Sequence, residues 1–340
     1  MRKISIYVHV PFCRRRCPYC TFYHVPLGRG ERVTPLVDAL LLELELAARE
    51  IGETFRVPTV YIGGGTPAAA GSGELRRILE TVVPRLDPAG AEITVEMNPE
   101  DVDETVLAEA SRAGVNRLSL GVQSMASRAQ RALGRCEPEM NRRALDLVAR
   151  RFGNFSADVL AGVPAAPPGE LAATLDALAE YGPPHFSLYC LEPGGDLAAA
   201  SEFFSGVDSD RCAAEYLEAC EALEARGYAH YEVSNFAKPG RECAHNLAYW
   251  DGAEYIGLGP GAHSFVGSER YQNVSSVDGY IAGMGEYPLG VRQRDRRGPT
   301  EAGLERIMLG LRTSAGVPLA EIAAPAGTIE ELGAEGLAVV

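Results

Sequence analysis

Over residues 4–191, short runs of β-branched and aromatic residues alternate with longer stretches whose apolar positions recur every three or four residues, and this alternation restricts the fold most. Runs at 4–10, 57–62, 91–96, 115–121, 155–160 and 185–191 read as strands. Between them the first helix is expected to start at Thr34 as N-cap, with Pro35 in its first turn and Leu36, Leu40, Leu44, Ala47 and Ile51 on one face. Further helices are expected near 73–83, 103–113, 128–133, 139–151 and 169–181. Strands separated by helices pair in parallel through right-handed crossovers, so the expected class is α/β with a barrel-like sheet. Six units fall short of the eight of a closed TIM barrel and predict a partial (β/α)6 barrel. A helix near 210–226 and an alternating strand over 228–236 then predict a C-terminal α+β extension. The expected division is 1–195 for the barrel core, 196–290 for the extension and 291–340 for a third segment.

The loop after the first strand carries Cys13, Cys17 and Cys20, three thiols within eight residues. A tetrahedral zinc site wants four ligands, usually in two separated pairs. The remaining cysteines, Cys136, Cys190, Cys212, Cys220 and Cys243, are scattered, which disfavours zinc. A disulfide framework is disfavoured too, because a 340-residue chain has ample core without staples and shows no secretory leader. An iron–sulfur cluster normally takes four thiolates, so three close ones would leave one iron with an open coordination position. Three incidental loop cysteines are the bland alternative; their proximity and the strand before the loop weigh against it.

Tyr7-Val8-His9-Val10-Pro11-Phe12-Cys13, running into Cys17, Tyr19 and Cys20, resembles the radical S-adenosylmethionine (SAM) superfamily, in its oxygen-independent coproporphyrinogen III oxidase-like branch. The resemblance implies a partial (β/α)6 radical SAM barrel and a [4Fe–4S] cluster on Cys13, Cys17 and Cys20, with SAM chelating the fourth iron. Barrel enzymes place chemistry at the C-terminal ends of their strands, and the further motifs fall there. Gly63-Gly64-Gly65-Thr66-Pro67 is equally read as a tight turn when taken alone. Behind the cysteine triad it resembles the GGGTP segment of the family, which implies that Gly64, Gly65 and Thr66 lie at the methionine amino group of SAM. Glu96, Gln123, Arg135 and Asp158 match SAM-contacting positions: Arg135 for the carboxylate, by its fork geometry, and the others for ribose or amino groups. Tyr7, Tyr19 and Cys190 match further SAM-proximal positions. Singly, Glu96 or Asp158 is as well read as a strand-end residue capping a loop.

Cys243-Ala244-His245-Asn246-Leu247-Ala248-Tyr249-Trp250 sets the single tryptophan beside a histidine and a tyrosine. One reading is core filling beneath the barrel mouth, with His245 satisfied locally. The segment also resembles the HNxxYW motif of the HemW family of heme chaperones. That resemblance implies heme as a ligand, with His245 as candidate iron ligand and Asn246, Tyr249 and Trp250 shaping the pocket; histidine is a common axial ligand and aromatic rings can cover a macrocycle. Cys243 is an alternative thiolate ligand. His263, in a glycine-rich stretch resembling the same branch, is a candidate second heme contact or a satisfied loop histidine. Phe22 stands where the porphyrinogen-converting members carry a further cysteine, and Thr21 where an aspartate is usual in the chaperones. Residues 301–312 resemble the start of the small C-terminal helical domain of the HemW family, which implies that 291–340 is an incomplete helical domain of that type.

Acidic residues outnumber basic ones 46 to 32, a net charge of −14, which argues against a general nucleic-acid surface. The run Arg14-Arg15-Arg16 is a local exception, beside the cluster or simply solvated. No apolar run approaches the roughly 18 residues of a membrane span, and free thiols without a leader make the cytoplasm the expected compartment. The expected function is a heme chaperone holding heme, a [4Fe–4S] cluster and SAM, served by an electron donor and delivering heme to acceptor hemoproteins such as respiratory enzymes. An oxygen-independent coproporphyrinogen III dehydrogenase and a radical SAM methylating enzyme are the alternatives.

Overall fold

The computed structural model describes residues 1–28, 30, 32–52, 55–164, 166–191, 206–283, 293–322 and 327–335. The barrel strands are β1 (Ser5–Val10), β2 (Thr59–Gly64), β3 (Glu92–Met97), β4 (Arg117–Gln123), β5 (Phe155–Ala161) and β6 (His185–Cys190). Each pairs in parallel with the next in chain order. The helices between them are α1 (Val33–Ile51), α2 (Ser72–Val82), α3 (Glu104–Arg112), α4 (Ser127–Ala132), α5 (Pro138–Arg151) and α6 (Glu170–Ala179). Beyond them lie α7 (Ser209–Ala225), the hairpin β7 (Ala229–Glu232) and β8 (Asn235–Ala237), and α8 (Ala244–Trp250). The chain continues through β9 (Tyr255–Leu258), β10 (His263–Val266), β11 (Glu269–Gln272), α9 (Val277–Gly283), β12 (Gln293–Arg296), α10 (Pro299–Gly310) and α11 (Thr328–Ala334).

Among the described residues these strands form one twelve-stranded sheet in the order β7-β8-β6-β5-β4-β3-β2-β1-β9-β10-β11-β12. The six expected strands are therefore joined by a seventh parallel one, because β9 returns alongside β1 in the register Tyr255↔Ser5 to Leu258↔Val8. Antiparallel strands extend both edges: β8 on β6 and β10 on β9. The single strand expected over 228–236 is a hairpin that turns at Val233-Ser234. Thr34 is not the N-cap of α1; the helix begins a residue earlier and the Thr34 hydroxyl donates to Glu74 Oε1 at 2.6 Å. The boundaries expected at 195/196 and 290/291 lie outside the described residues.

Period-two alternation explains how the barrel is filled. In β1 to β6 one set of side chains (Ile6, Val8 and Val10; Val60 and Ile62; Val95; Leu118 and Leu120; Val159; Phe186 and Leu188) joins the apolar core. The other set is polar and faces the barrel interior: Tyr7 and His9, Thr59 and Tyr61, Glu96, Ser119, Ser156 and Asp158, Ser187. Burying either face in water-free surroundings requires hydrogen-bond partners for the polar set, and the interior supplies them. Tyr7 donates to His9 Nδ1 at 2.9 Å, and Ser119 donates to both Asp158 oxygens, at 3.0 and 2.8 Å.

One buried carboxylate pins the upper edge. Glu43 of α1 accepts from Gly259 N at 2.9 Å, from Asn273 Nδ2 at 2.6 Å and from the Tyr280 hydroxyl, tying α1 to the turn after β9 and to α9. Burial pushes the Glu43 carboxyl up to about 7 against the hydrogen bonds that lower it. A folded group that holds its proton more tightly than the unfolded one contributes stability in full below the unfolded value, near pH 4.5, and loses it as pH rises through about 7. The fall in Tm between pH 5 and pH 8 is accordingly expected to be shallower in Glu43→Gln, measured by scanning calorimetry. An unchanged slope would remove Glu43 as a contributor.

Candidate functional site

The C-terminal ends of the strands surround a cavity of ≈ 460 Å³. Cys13, Cys17 and Cys20 enter it from the loop after β1, which a short parallel ladder closes at its base (Phe12↔Val25, Cys13↔Pro26). Thr66 Oγ1 lies 3.9 Å from Cys13 Sγ, and Asn98 Nδ2 donates to that same hydroxyl oxygen at 2.6 Å. Arg135 Nη2 donates to Asn98 Oδ1 at 2.7 Å and Nη1 lies 3.8 Å from Cys17 Sγ, so a chain of polar contacts ties the cysteine loop to β2, β3 and the segment after α4. Arg14 and Arg15 pair with Asp101 and Glu100 on the turn after β3 and also line the cavity.

The floor of the cavity is acidic. Glu96 accepts from Gly64 N at 3.0 Å and from the Tyr61 hydroxyl at 2.9 Å, and burial raises its carboxyl to about 7. Burial also raises Asp158, although Ser119 and Ser156 hydrogen-bond to it. The two carboxyls repel one another, and the Arg117 guanidinium acts on Asp158 while no cation among the described residues acts on Glu96, so a cationic ligand at Glu96 would return it to the ionised form. Across the cavity Arg135 is buried with its Nε unpartnered among the described residues, a donor that wants an anionic acceptor. A ligand bearing an ammonium and a carboxylate matches these groups.

Backbone geometry is specialised here. Gly64 has φ +105°, and a Cβ there would collide with the His9 imidazole; a Cβ on Gly65 would fall 2.6 Å from Phe12 O and Pro11 C. Gln123 has φ +68°, unlike every other described non-glycine residue, at a register shift between β4 and β5 that aims the end of β4 into the cavity.

Of the residues expected from sequence, Cys13, Cys17, Tyr19, Cys20, Gly64, Gly65, Glu96, Gln123, Arg135, Asp158 and Cys190 line this cavity. Thr66 and Tyr7 stand behind it, holding Cys13 and His9 respectively. The segment carrying His245, Asn246, Tyr249 and Trp250 lies at the opposite end of the barrel. It forms α8, docked on the first residues of the strands: Glu92 of β3 accepts from His245 N at 3.1 Å, and Thr59 of β2 bonds His245 Nδ1 at 2.8 Å. His245 Nε2 bonds the Tyr249 hydroxyl at 3.0 Å, the ring stacks on Tyr61 at 5.2 Å, and burial lowers its pKa to about 3. Neither of its nitrogens is free as placed. Cys243 is buried against Glu92, Trp250 bonds Glu232, and His263 is exposed on β10.

Tyr61, Asn98, Ser119, Tyr189 and His24 are cavity residues that sequence reasoning passed over. The period-two rule marks all three strand residues as inward positions: Tyr61 is the register partner of Tyr7, Ser119 that of Glu96, and Tyr189 lies two residues beyond Ser187, the partner of Asp158; nothing local marks His24.

Residues 7–188 match the model of the Radical SAM superfamily. Over 329 residues the chain is 36% identical to the heme chaperone HemW of Mycobacterium tuberculosis (strain ATCC 25618 / H37Rv), covering 94% of this chain and 84% of that protein. The chain belongs to the HemW family of the radical SAM superfamily. Another HemW, from Bacillus subtilis (strain 168), is 32% identical over 92% of this chain and 84% of its own length. The bovine mitochondrial radical S-adenosyl methionine domain-containing protein 1 is 34% identical over 93% and 74%. In three dimensions the chain is similar to coproporphyrinogen III oxidase (HemN) from Escherichia coli, with a TM-score of 0.81 at 23% identity over 92% of this chain and 76% of that one, which shows a shared fold.

Membership of the superfamily implies a [4Fe–4S] cluster and SAM, and the donor set fits both. Among the described residues no three His, Cys, Asp or Glu side chains are gathered as they would be around a single metal ion. A cubane cluster takes each thiolate on a different iron and needs them spread. Burial holds Cys13 up at about 11 as a free thiol, and metal binding would remove that proton. No described helix is long and apolar enough to cross a membrane.

Proposed function

We propose that the chain is a heme chaperone that carries a [4Fe–4S] cluster on Cys13, Cys17 and Cys20, holds SAM beside it, binds heme and passes it to acceptor hemoproteins such as respiratory enzymes. The observation that carries this reading is the 32–36% identity, over more than nine-tenths of the chain, to proteins named heme chaperones. Phe22, where the porphyrinogen-converting members carry a cysteine, supports it. When bound and reduced by an electron donor, the cluster supplies the electron that breaks a carbon–sulfur bond of SAM. The chain's own part is positioning: Glu96 and Asp158 accept from the ammonium and hydroxyls of SAM, Arg135 offers Nε to its carboxylate, and the glycines let the backbone come close.

Anaerobic incubation of reconstituted protein with SAM, a reductant and coproporphyrinogen III separates this reading from the dehydrogenase. Decarboxylated porphyrinogen would overturn the chaperone reading; hemin uptake without turnover is the expected result.

SAM binding is also expected to depend on pH. A carboxyl held near 7 must lose its proton to meet an ammonium, so affinity is expected to fall by up to about tenfold per pH unit below 7 and level off above it. In Glu96→Gln the dependence flattens and affinity at pH 8 drops by about 2 kcal/mol, roughly thirtyfold. Isothermal titration at several pH values reads both, and a steep profile in the variant would exclude Glu96.

A further inference from the structure

This inference rests on the heme chaperone reading and concerns which residue meets the iron. The chain holds six histidines, and His24 is the one that lines the cavity at the cluster end. His9 bonds Tyr7 and Tyr23, His185 bonds Ser156 and Tyr231, and His245 bonds Thr59 and Tyr249, so both ring nitrogens of each are engaged. His230 packs flat against Phe236 at 4.1 Å, away from the cavity. His263 is exposed on β10 and does not line it.

His24 differs from all of these. Its Nδ1 lies 2.8 Å from the Phe22 carbonyl oxygen. A carbonyl only accepts, so Nδ1 carries the hydrogen and the lone pair of the neutral ring belongs to Nε2. No described residue bonds that Nε2. A backbone carbonyl fixing Nδ1–H while Nε2 stays open is the arrangement that orients histidine as a metal ligand.

The surroundings suit a flat, mostly apolar molecule with two carboxylates. Phe22 is 71% exposed and Tyr189 43% exposed, and both line the cavity, so two aromatic side chains stand at its rim rather than in the core. Singly exposed apolar side chains are common on this chain, but Phe22 and Tyr189 stand with His24 on one cavity, and aromatic faces at a rim are what a flat macrocycle packs against. Arg14 and Arg15 line the same cavity but are already paired with Asp101 and Glu100, so the positive charge for a propionate comes from Arg16, exposed next to them and without an ion-pair partner among the described residues.

We infer that His24, through Nε2, is the heme-iron ligand of this chain, with the macrocycle seated at the cluster-side rim against Phe22 and Tyr189 and His245 bracing the far end of the barrel. Binding forms one coordinate bond from the Nε2 lone pair to ferric iron; no proton leaves and nothing is oxidised or reduced.

The test is titration of cluster-reconstituted protein with hemin, read as Soret difference spectra against the same protein without hemin and as the electron paramagnetic resonance signal of the ferric heme. The unaltered chain and His245→Ala are expected to share one nitrogen-ligated signature. His24→Ala is expected to lose that signature and at least tenfold in affinity, with added imidazole restoring the spectrum. Iron content after reconstitution, equal in all three proteins, shows that the loop around Cys20 still folds, and His24→Gln serves as a second variant if the alanine loop does not. A His24 variant with the unaltered signature would overturn this inference while leaving the chaperone reading standing. Failure of the unaltered chain to take up hemin would overturn both.

Discussion

Exchange of Cys17 for Ser is expected to strip the protein of its cluster. A serine hydroxyl does not ionise in the range where thiols do, so it cannot replace a thiolate on iron, and two thiols remain to hold what three secured. The polypeptide should survive the change, because Cys17 is a partly exposed loop residue and the loop is anchored by the ladder at its base and by Arg14 on Asp101. After anaerobic reconstitution, protein-bound iron and sulfide should fall to background while far-UV circular dichroism is unchanged. A variant that retains a full complement of iron would remove Cys17 from the ligand set.

Gly65→Ala is expected to have the second-largest effect, and to act through the backbone. The added methyl would lie 2.6 Å from Phe12 O and from Pro11 C, both main-chain atoms directly ahead of Cys13. Neither side can retreat cheaply: Gly65 N donates to Val10 O at 2.9 Å and Thr66 N to Phe12 O at 2.8 Å, the two bonds that hold β2 against the start of the cysteine loop. Forcing them apart should cost about 3 kcal/mol, the upper end for overpacking, and displace Cys13. Thermal unfolding should shift down by several degrees, with incomplete cluster reconstitution and loss of SAM binding by titration. Gly73→Ala is the control, because its methyl meets nothing within 4 Å on α2 and alanine favours a helix by up to about 1 kcal/mol. Equal stability of Gly65→Ala and the control would show that the close approach does not matter.

Much of this site was legible along the chain. Cys13, Cys17 and Cys20 sit within one loop, and any fold that places that loop on a strand end gathers them. Glu96, Gln123 and Asp158 occupy or adjoin inward positions near the ends of parallel strands, and neighbouring strand ends in a parallel sheet come out on one side whatever the loops do. The first helix was legible too, but not its first residue: Thr34 has the chemistry of a cap, and Glu74 on α2, forty residues away, takes its hydroxyl instead. Asn98 gave no local signal because its role, bridging Thr66 and Arg135, exists only after β2, β3 and the segment following α4 have assembled.

The sequence by itself determined the parallel α/β sheet, the polar interior face and the thiol cluster, since each follows from spacing over a few residues: two per strand repeat, three or four per helical turn, eight across the cysteine loop. Only the tertiary structure decided that β9 joins as a seventh parallel strand, and that α8 packs on the strand starts and buries His245 while the loop after Cys20 leaves His24 open beside the cavity. The two histidines look alike as letters. What separates them is which end of the barrel each segment reaches and whether both ring nitrogens find partners there, and those are long-range contacts that no local spacing encodes.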